Sequence, residues 1–137
     1  MVHPYRMGIK LDMIGIVCKD QAESLRFYKL LGVPAPEYKE GEPYVECTLQ
    51  NGLRISWNSV EMMKQIDPAW EEPAGHRMGL AFLCDSPPDV DQAYASVLAA
   101  GFLGYKEPFD AFWGQRYAQV LDPDGNVVDV FAPLSGE

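Results

Sequence analysis

The chain has 137 residues, 47% hydrophobic and 23% charged, which fits one globular domain with an ordinary core. Its formal net charge of −9 disfavours nucleic acid and anionic membrane as partners, since both would repel it. Met1 to Lys10 has no apolar signal core, and no apolar run approaches the roughly 20 residues that span a bilayer, so the expected location is the cytoplasm.

The three cysteines are Cys18, Cys47 and Cys84, with no C-x-x-C pair. Each lies inside an apolar run, so they read as small buried hydrophobes, neither a disulfide framework nor catalytic thiols. His3 precedes any strand and reads as part of the terminus.

In chain order, the strand-like run Met13 to Asp20 opens the first half. A helix over 21–31 follows, opened by an Asp20/Glu23 capping-box pattern, with Ala22, Leu25, Tyr28 and Leu31 at helical spacing and Gly32 at its end. Tyr44 to Leu49 and Leu53 to Trp57 flank Asn51-Gly52, a strong hairpin signal. Ser59 is placed to cap a short helix with Val60, Met63 and Ile66 facing inward, and residues 67–75 then break regular structure. Gly79 to Asp85 reads as another strand. The helix over 90–100 carries Ser86 and Asp89 at capping-box spacing, Pro87-Pro88 in its first turn and Gly101 at its end. Arg116 to Leu121 and Val127 to Phe131 flank the turn Asp122-Pro123-Asp124-Gly125-Asn126.

These elements form a faint repeat in which Cys18 aligns with Cys84 and Gly32 with Gly101. Each copy reads as strand, helix, then two or three strands. The expected fold is α+β, a single domain over 1–137, with two βαβββ modules at about 8–58 and 76–133 and a connector at 59–75. Together the modules should enclose a small-molecule pocket.

The chain resembles the vicinal oxygen chelate superfamily of glyoxalases, bleomycin-resistance proteins and extradiol dioxygenases. The resemblance rests on Leu11 to Val17 with Asp20, on Ser24-Leu25-Arg26-Phe27-Tyr28, on Leu31-Gly32, and above all on Asp122-Pro123-Asp124-Gly125-Asn126-Val127-Val128-Asp129. It implies that the two modules form a U-shaped sheet around a cleft, that the protein is a homodimer and, in the enzymes, that a divalent metal is held by His, Gln or Glu on inner strands. Those positions fall on Met13, on Arg54 or Ser56, on Gly79 and on Asp129. A thioether is too soft for such metals, Gly79 has no side chain, Arg54 is a cation and Ser56 a weak ligand, so no metal and no cofactor are expected. His76, three residues before Gly79, enters the cleft only if the strand is bulged; otherwise it is a strand-end histidine.

Strand alternation puts Arg54 and Ser56 on one face and Leu53, Ile55 and Trp57 on the other. With Asp129 pointing into the cleft, as the resemblance implies, Met13 and Arg54 or Ser56 would line it too, and Arg54 and Asp129 would pair or stand on a wet face. Phe109-Asp110-Ala111-Phe112-Trp113-Gly114-Gln115-Arg116-Tyr117 resembles the tryptophan-glycine segment of bleomycin-resistance-like members. Phe112, Trp113 and Arg116 would form a ligand platform or, on the plainer reading, core or dimer contact. Trp57 is a further ligand-binding candidate, and Trp70, Tyr44 and Glu46 are weaker ones. The leading expectation is a metal-independent protein that binds an aromatic or cationic small molecule, an antibiotic among the possibilities. The alternative is a glyoxalase-like lyase or isomerase, or a dioxygenase, using Asp129 with His76; a third is a regulatory or structural module.

Overall fold

The computed structural model describes residues 8–75 and 77–134. In chain order it has β1 (Met13–Cys18), α1 (Gln21–Leu30), β2 (Tyr44–Thr48), β3 (Arg54–Ser59), α2 (Val60–Ile66), β4 (Leu80–Leu83), α3 (Pro87–Ala99), β5 (Leu103–Ala111), β6 (Gln115–Leu121) and β7 (Val127–Pro133). No helix among the described residues is long and apolar enough to cross a membrane.

The strands form two sheets, ordered β1-β3-β2 and β4-β7-β6-β5. In each, the first strand of the repeat runs parallel to the last, and the remaining pairings are antiparallel. The repeat is therefore structural, with β1, α1, β2 and β3 matching β4, α3, β6 and β7. Only the second copy has the full three strands after its helix. The first copy has no counterpart of the edge strand β5: residues 31–43 form no strand, and Pro34 and Pro36 remove two of the N–H donors a ladder there would need.

Local chemistry explains the ends. The Asp20 carboxylate accepts from the Glu23 backbone N–H at 3.1 Å, which caps α1. Gly32, at φ 87°, lets the chain turn back so that Val33 N–H reaches the Tyr28 carbonyl. The buried face of α1 is Gln21, Ser24, Leu25, Phe27 and Tyr28; Ala22, expected to face inward, is exposed. At α3 the Ser86 hydroxyl donates to the Asp89 carboxylate instead of capping the backbone. Ser59 does cap α2 through Met62 N–H, yet α2 buries none of its residues and Ile66 is exposed, against the inward face expected for it.

One core joins the two copies on the helix side. Ile16, Leu25, Phe27, Tyr28, Ile55 and Trp57 from the first copy cluster with Val97, Val120 and Val128 from the second. Phe27 meets Phe102 edge to face at 5.3 Å, and the Arg26 guanidinium lies 4.2 Å from that ring while donating to the Ala100 carbonyl. The Tyr28 hydroxyl donates to Asp122 at 2.7 Å and Lys19 N–H donates to Asp124 at 3.0 Å, which ties the closing turn of the second copy to β1 and α1 of the first. With α1 and α3 on this side, the opposite face of each sheet is open at Met13, Arg54, Tyr117 and Asp129, while Ser56 and Asn58 on that face are buried.

Candidate functional site

Period-two alternation decides which side chains reach the open faces. In β3, Ile55 and Trp57 join the helix-side core, so Arg54, Ser56 and Asn58 face the other way. Trp57 is 0% exposed and cannot touch a ligand; its expected role in binding is corrected to core packing. The pairing Met13↔Arg54 and Gly15↔Ser56 places Met13 and Gly15 on the same open face. From the far side, Glu46 pairs with Ser56 and Tyr44 with Asn58.

Arg54 is the centre of a polar chain on this face. It donates to Asp12 at 2.6 Å and to Glu46 at 2.8 Å. The Tyr44 hydroxyl donates to the same Glu46 oxygen at 2.7 Å and lies 3.3 Å from the Met13 sulfur. The hydrogen bond from Tyr44, then that from Arg54, holds the Glu46 carboxyl below its ordinary range, while the bond to Glu46 pushes the Tyr44 phenol up. Two carboxylates surround one guanidinium, so the cluster carries a net charge of −1. Of the two readings open for Arg54 and Asp129, the pair does not form: Arg54 is held by Asp12 and Glu46, and Asp129 by Gln119.

On the second sheet, Val128, Val130 and Ala132 turn to the core and Asp129 and Phe131 to the open face. Pairing brings Gln119 opposite Asp129 and Tyr117 opposite Phe131. Gln119 donates its amide to Asp129 at 2.9 Å. Burial, and then the neighbouring Asp129 carboxylate, push the Tyr117 phenol up to about 12. Beside this polar trio stands an aromatic cluster in which Tyr117 lies 5.3 Å from Trp113 and 5.9 Å from Phe109, all edge to face. Phe112, 96% exposed, packs its ring 5.0 Å from Trp113 at the β5–β6 turn. The Trp113 indole N–H is fixed on Gln115 at 2.7 Å.

Arg116 is not part of this platform. It alternates with Tyr117 and so faces the helix side, where Asp91 of α3 takes two of its donors and Asp110 a third. Its expected ligand contact is corrected to a structural ion pair. His76 lies outside the described residues. Trp70 lines a separate surface hollow of ≈ 480 Å³ with Lys19, Val60 and Lys64, which includes none of the open-face residues.

The register also resolves which residue of β3 matches Asp129. Ile14 pairs with Ile55 as Leu80 pairs with Val128, so the residue after each partner is Ser56 in the first copy and Asp129 in the second. The four matching positions are thus Met13, Ser56, Gly79 and Asp129. A thioether, a hydroxyl, no side chain and one carboxylate do not fit a divalent metal. Among the described residues, no group of three or more His, Cys, Asp or Glu is placed to share an ion. Strand alternation extended by one step would have found Asn58 from Ser56; Gln119 and Tyr117 needed the β6–β7 register, which the sequence did not supply.

The sequence matches the model of the glyoxalase/bleomycin resistance protein/dioxygenase superfamily over residues 10–130. The chain belongs to that superfamily. Among solved structures it resembles a glyoxalase/bleomycin resistance protein/dioxygenase from Nocardioides, with 25% identity, TM-score 0.72, and coverage of 94% of this chain and 86% of the other. A family enzyme from Burkholderia phytofirmans PsJN shares the fold at 22% identity and TM-score 0.74, covering 92% of this chain and 100% of that one. A glyoxalase-related enzyme from Fulvimarina pelagi does so at 22% identity and TM-score 0.76, covering 90% and 87%. Among curated proteins, none matches the sequence.

Proposed function

We propose that this protein binds an aromatic or cationic small molecule without a metal ion. The observation that carries this reading is the donor set at the four matching positions, Met13, Ser56, Gly79 and Asp129, on a superfamily fold. Sequestering a ligand needs affinity and no transition-state stabilisation, so loss of metal donors is compatible with a working protein. The Phe109, Trp113 and Tyr117 rings supply an apolar platform, and the net negative Arg54 cluster favours a cation over an anion. An aromatic antibiotic is one ligand of this kind. Leu83, Leu103 and Phe112 are exposed apolar surface that a second copy would bury, in keeping with a homodimer.

The test is metal analysis of protein purified without chelator or tag, followed by thermal-shift titration with manganese, nickel, iron and zinc and then with a panel of aromatic antibiotics. The expected result is no stoichiometric metal, no stabilisation by metal, and a concentration-dependent rise in Tm with at least one aromatic compound. One tightly held ion per chain would overturn it. A second reading has its own support: the Asp129 carboxylate stands beside the Tyr117 hydroxyl on an open face, which is a base and a proton donor within reach of one substrate. In that case Asp129→Asn abolishes a turnover that the binding reading does not require.

A further inference from the structure

Strand β5 does not keep one register against β6. Leu103 faces Leu121 and Gly104 faces Val120, but then Lys106 faces Gln119 and Phe109 faces Tyr117. Each change of register takes up one extra residue of β5, so an irregularity flanks Lys106 on either side. Their effect follows from strand alternation. Had the first register continued, Tyr105 would stand opposite Gln119 on the open face, and Lys106 would turn to the helix side opposite Ala118. Had the second continued, Pro108 would stand opposite Tyr117 in place of Phe109. Bulges of this kind re-aim side chains and are over-represented beside active sites. Here they bring one cation and one ring to the open face of the second sheet. The contacts agree: Lys106 Nζ lies 5.0 Å from the centre of the Phe109 ring, and that ring meets Tyr117 edge to face.

The pairing of β7, β6 and β5 then sets Asp129, Gln119 and Lys106 in one row across the face. The ends of the row are two strand spacings apart, about 10 Å between backbones. Among the described residues, neither Asp129 nor Lys106 belongs to an ion pair. Asp129 takes its hydrogen bond from Gln119, a neutral amide, so its charge stays uncompensated. Lys106 rests on a ring, which attracts a cation without neutralising it. The row thus ends in a lone carboxylate on one side and a lone ammonium on the other, with Tyr117 and Phe109 alongside. We propose that Lys106 and Asp129 together select an aromatic ligand that is itself dipolar, with an anionic group toward Lys106, an ammonium toward Asp129 and its flat part against the Phe109 and Tyr117 rings. This rests on the binding reading above and narrows it: a ligand with a cation alone leaves Lys106 without a partner.

Two pairs of probes test this by NMR on the full-length, isotope-labelled protein: para-aminomethylbenzoate and the longer para-aminomethylphenylacetate, each beside its methyl ester. Acid and ester share the ring and the ammonium, and differ in the anionic group. The readouts are the Gln119 side-chain amide and the Trp113 indole N–H, titrated to saturation. At least one acid should bind about three- to five-fold more tightly than its ester, the size of an exposed ion pair, and molar salt should remove the difference. With a net charge of −9 the chain as a whole favours the ester, so a preference for the acid isolates the local effect of Lys106. Lys106→Gln should abolish the preference and Lys106→Glu should reverse it. Asp129→Asn should weaken acids and esters alike; if that variant fails to fold, the exposed Lys106 variants decide. The proposal is overturned if neither acid binds more tightly than its ester, if the preference survives in Lys106→Glu, or if folded Asp129→Asn binds as the wild type does. Acids and esters that bind equally sink the dipolar selection and leave the binding reading standing; no shift with any probe counts against both.

Discussion

Replacing Tyr28 by Phe removes one hydroxyl from the junction of the two copies, and its cost can be worked from the contacts. The hydroxyl donates to Asp122 Oδ2 at 2.7 Å, with Tyr28 1% and Asp122 4% exposed. Asp122 also accepts from Asp124 N–H at 2.9 Å, Asn126 N–H at 2.8 Å and Asn126 Nδ2 at 2.8 Å. A hydrogen bond to a charged group contributes about 1.5–3 kcal/mol. Because three donors remain, the carboxylate is not stranded, and the loss should lie near the lower end, about 1.5–2 kcal/mol. The ring itself keeps its contacts with Phe27 and Trp57. Asp122→Ala leaves all four donors without their acceptor and should cost about 3–5 kcal/mol. The assay is equilibrium urea unfolding, with an unchanged m-value as the check that only stability has moved. Hydrogen exchange at the Lys19 amide, which is bonded to Asp124 in the same turn, should quicken in Tyr28→Phe. A loss below about 0.5 kcal/mol would refute the view that this bond latches the copies together.

Three further outcomes follow from particular contacts. A Cβ on Gly104 would run into the Tyr94 hydroxyl and stand 2.7 Å from its Cζ, so Gly104→Ala should destabilise by about 1–3 kcal/mol, and by at least about 1 kcal/mol less in a Tyr94→Leu background; equal costs in both backgrounds would contradict the clash. The Tyr117 phenol should titrate near pH 12 by carbon NMR of labelled tyrosine, and lower in Asp129→Asn. Because its folded value lies above the ordinary phenol value of about 10, the stability it contributes is fully present below pH ~10 and is lost as the pH rises from there through the folded value. Arg54→Gln breaks ion pairs that are part-exposed, so stability should change by no more than about 1 kcal/mol; the local charge then falls from −1 to −2, and a cationic ligand should bind more tightly, with a steeper dependence on salt.

How much of this was legible in the sequence depended on the range of the interaction concerned. Caps and turns are local, and Asp20, Ser59, Gly32 and Asn51-Gly52 act as their residue types suggest. The alignment of Cys18 with Cys84 holds in space because both first strands run parallel to the last strand of their copy. The repeat pattern left two or three strands per copy open, and Pro34 and Pro36 were the signal that the first copy would have only two. Arg116 stands next to the aromatic residues in sequence but not in space: alternation with Tyr117, together with Asp91 on α3, turns it to the other side. Alternation puts Trp57 on the face of Ile55, which the structure buries in the core, so its ring packs inside and does not meet a ligand. Met13, Ser56 and Asp129 could be named from the repeat, but the Asp12–Arg54–Glu46–Tyr44 chain crosses three strands and needs the register of both pairings.

The missing edge strand gives the two open faces different characters. In the second sheet β5 flanks β6, and Phe109, paired with Tyr117, extends the face into the aromatic cluster. In the first sheet β2 is itself the edge, so Tyr44 and Glu46 end the face and nothing apolar continues it. The result is one face built of hydroxyl, amide, carboxylate and a neutralised guanidinium, and another built of rings around a carboxylate. A ligand that used both would have to be amphipathic, with hydrogen-bonding groups at one end and a flat apolar part at the other. On that argument, Trp113→Ala and Tyr44→Phe should each weaken such a ligand, and their effects should add, because the two residues act on different parts of it. Full binding loss from either change alone, with the other site still able to hold its matching fragment, would mean that the faces serve separate molecules.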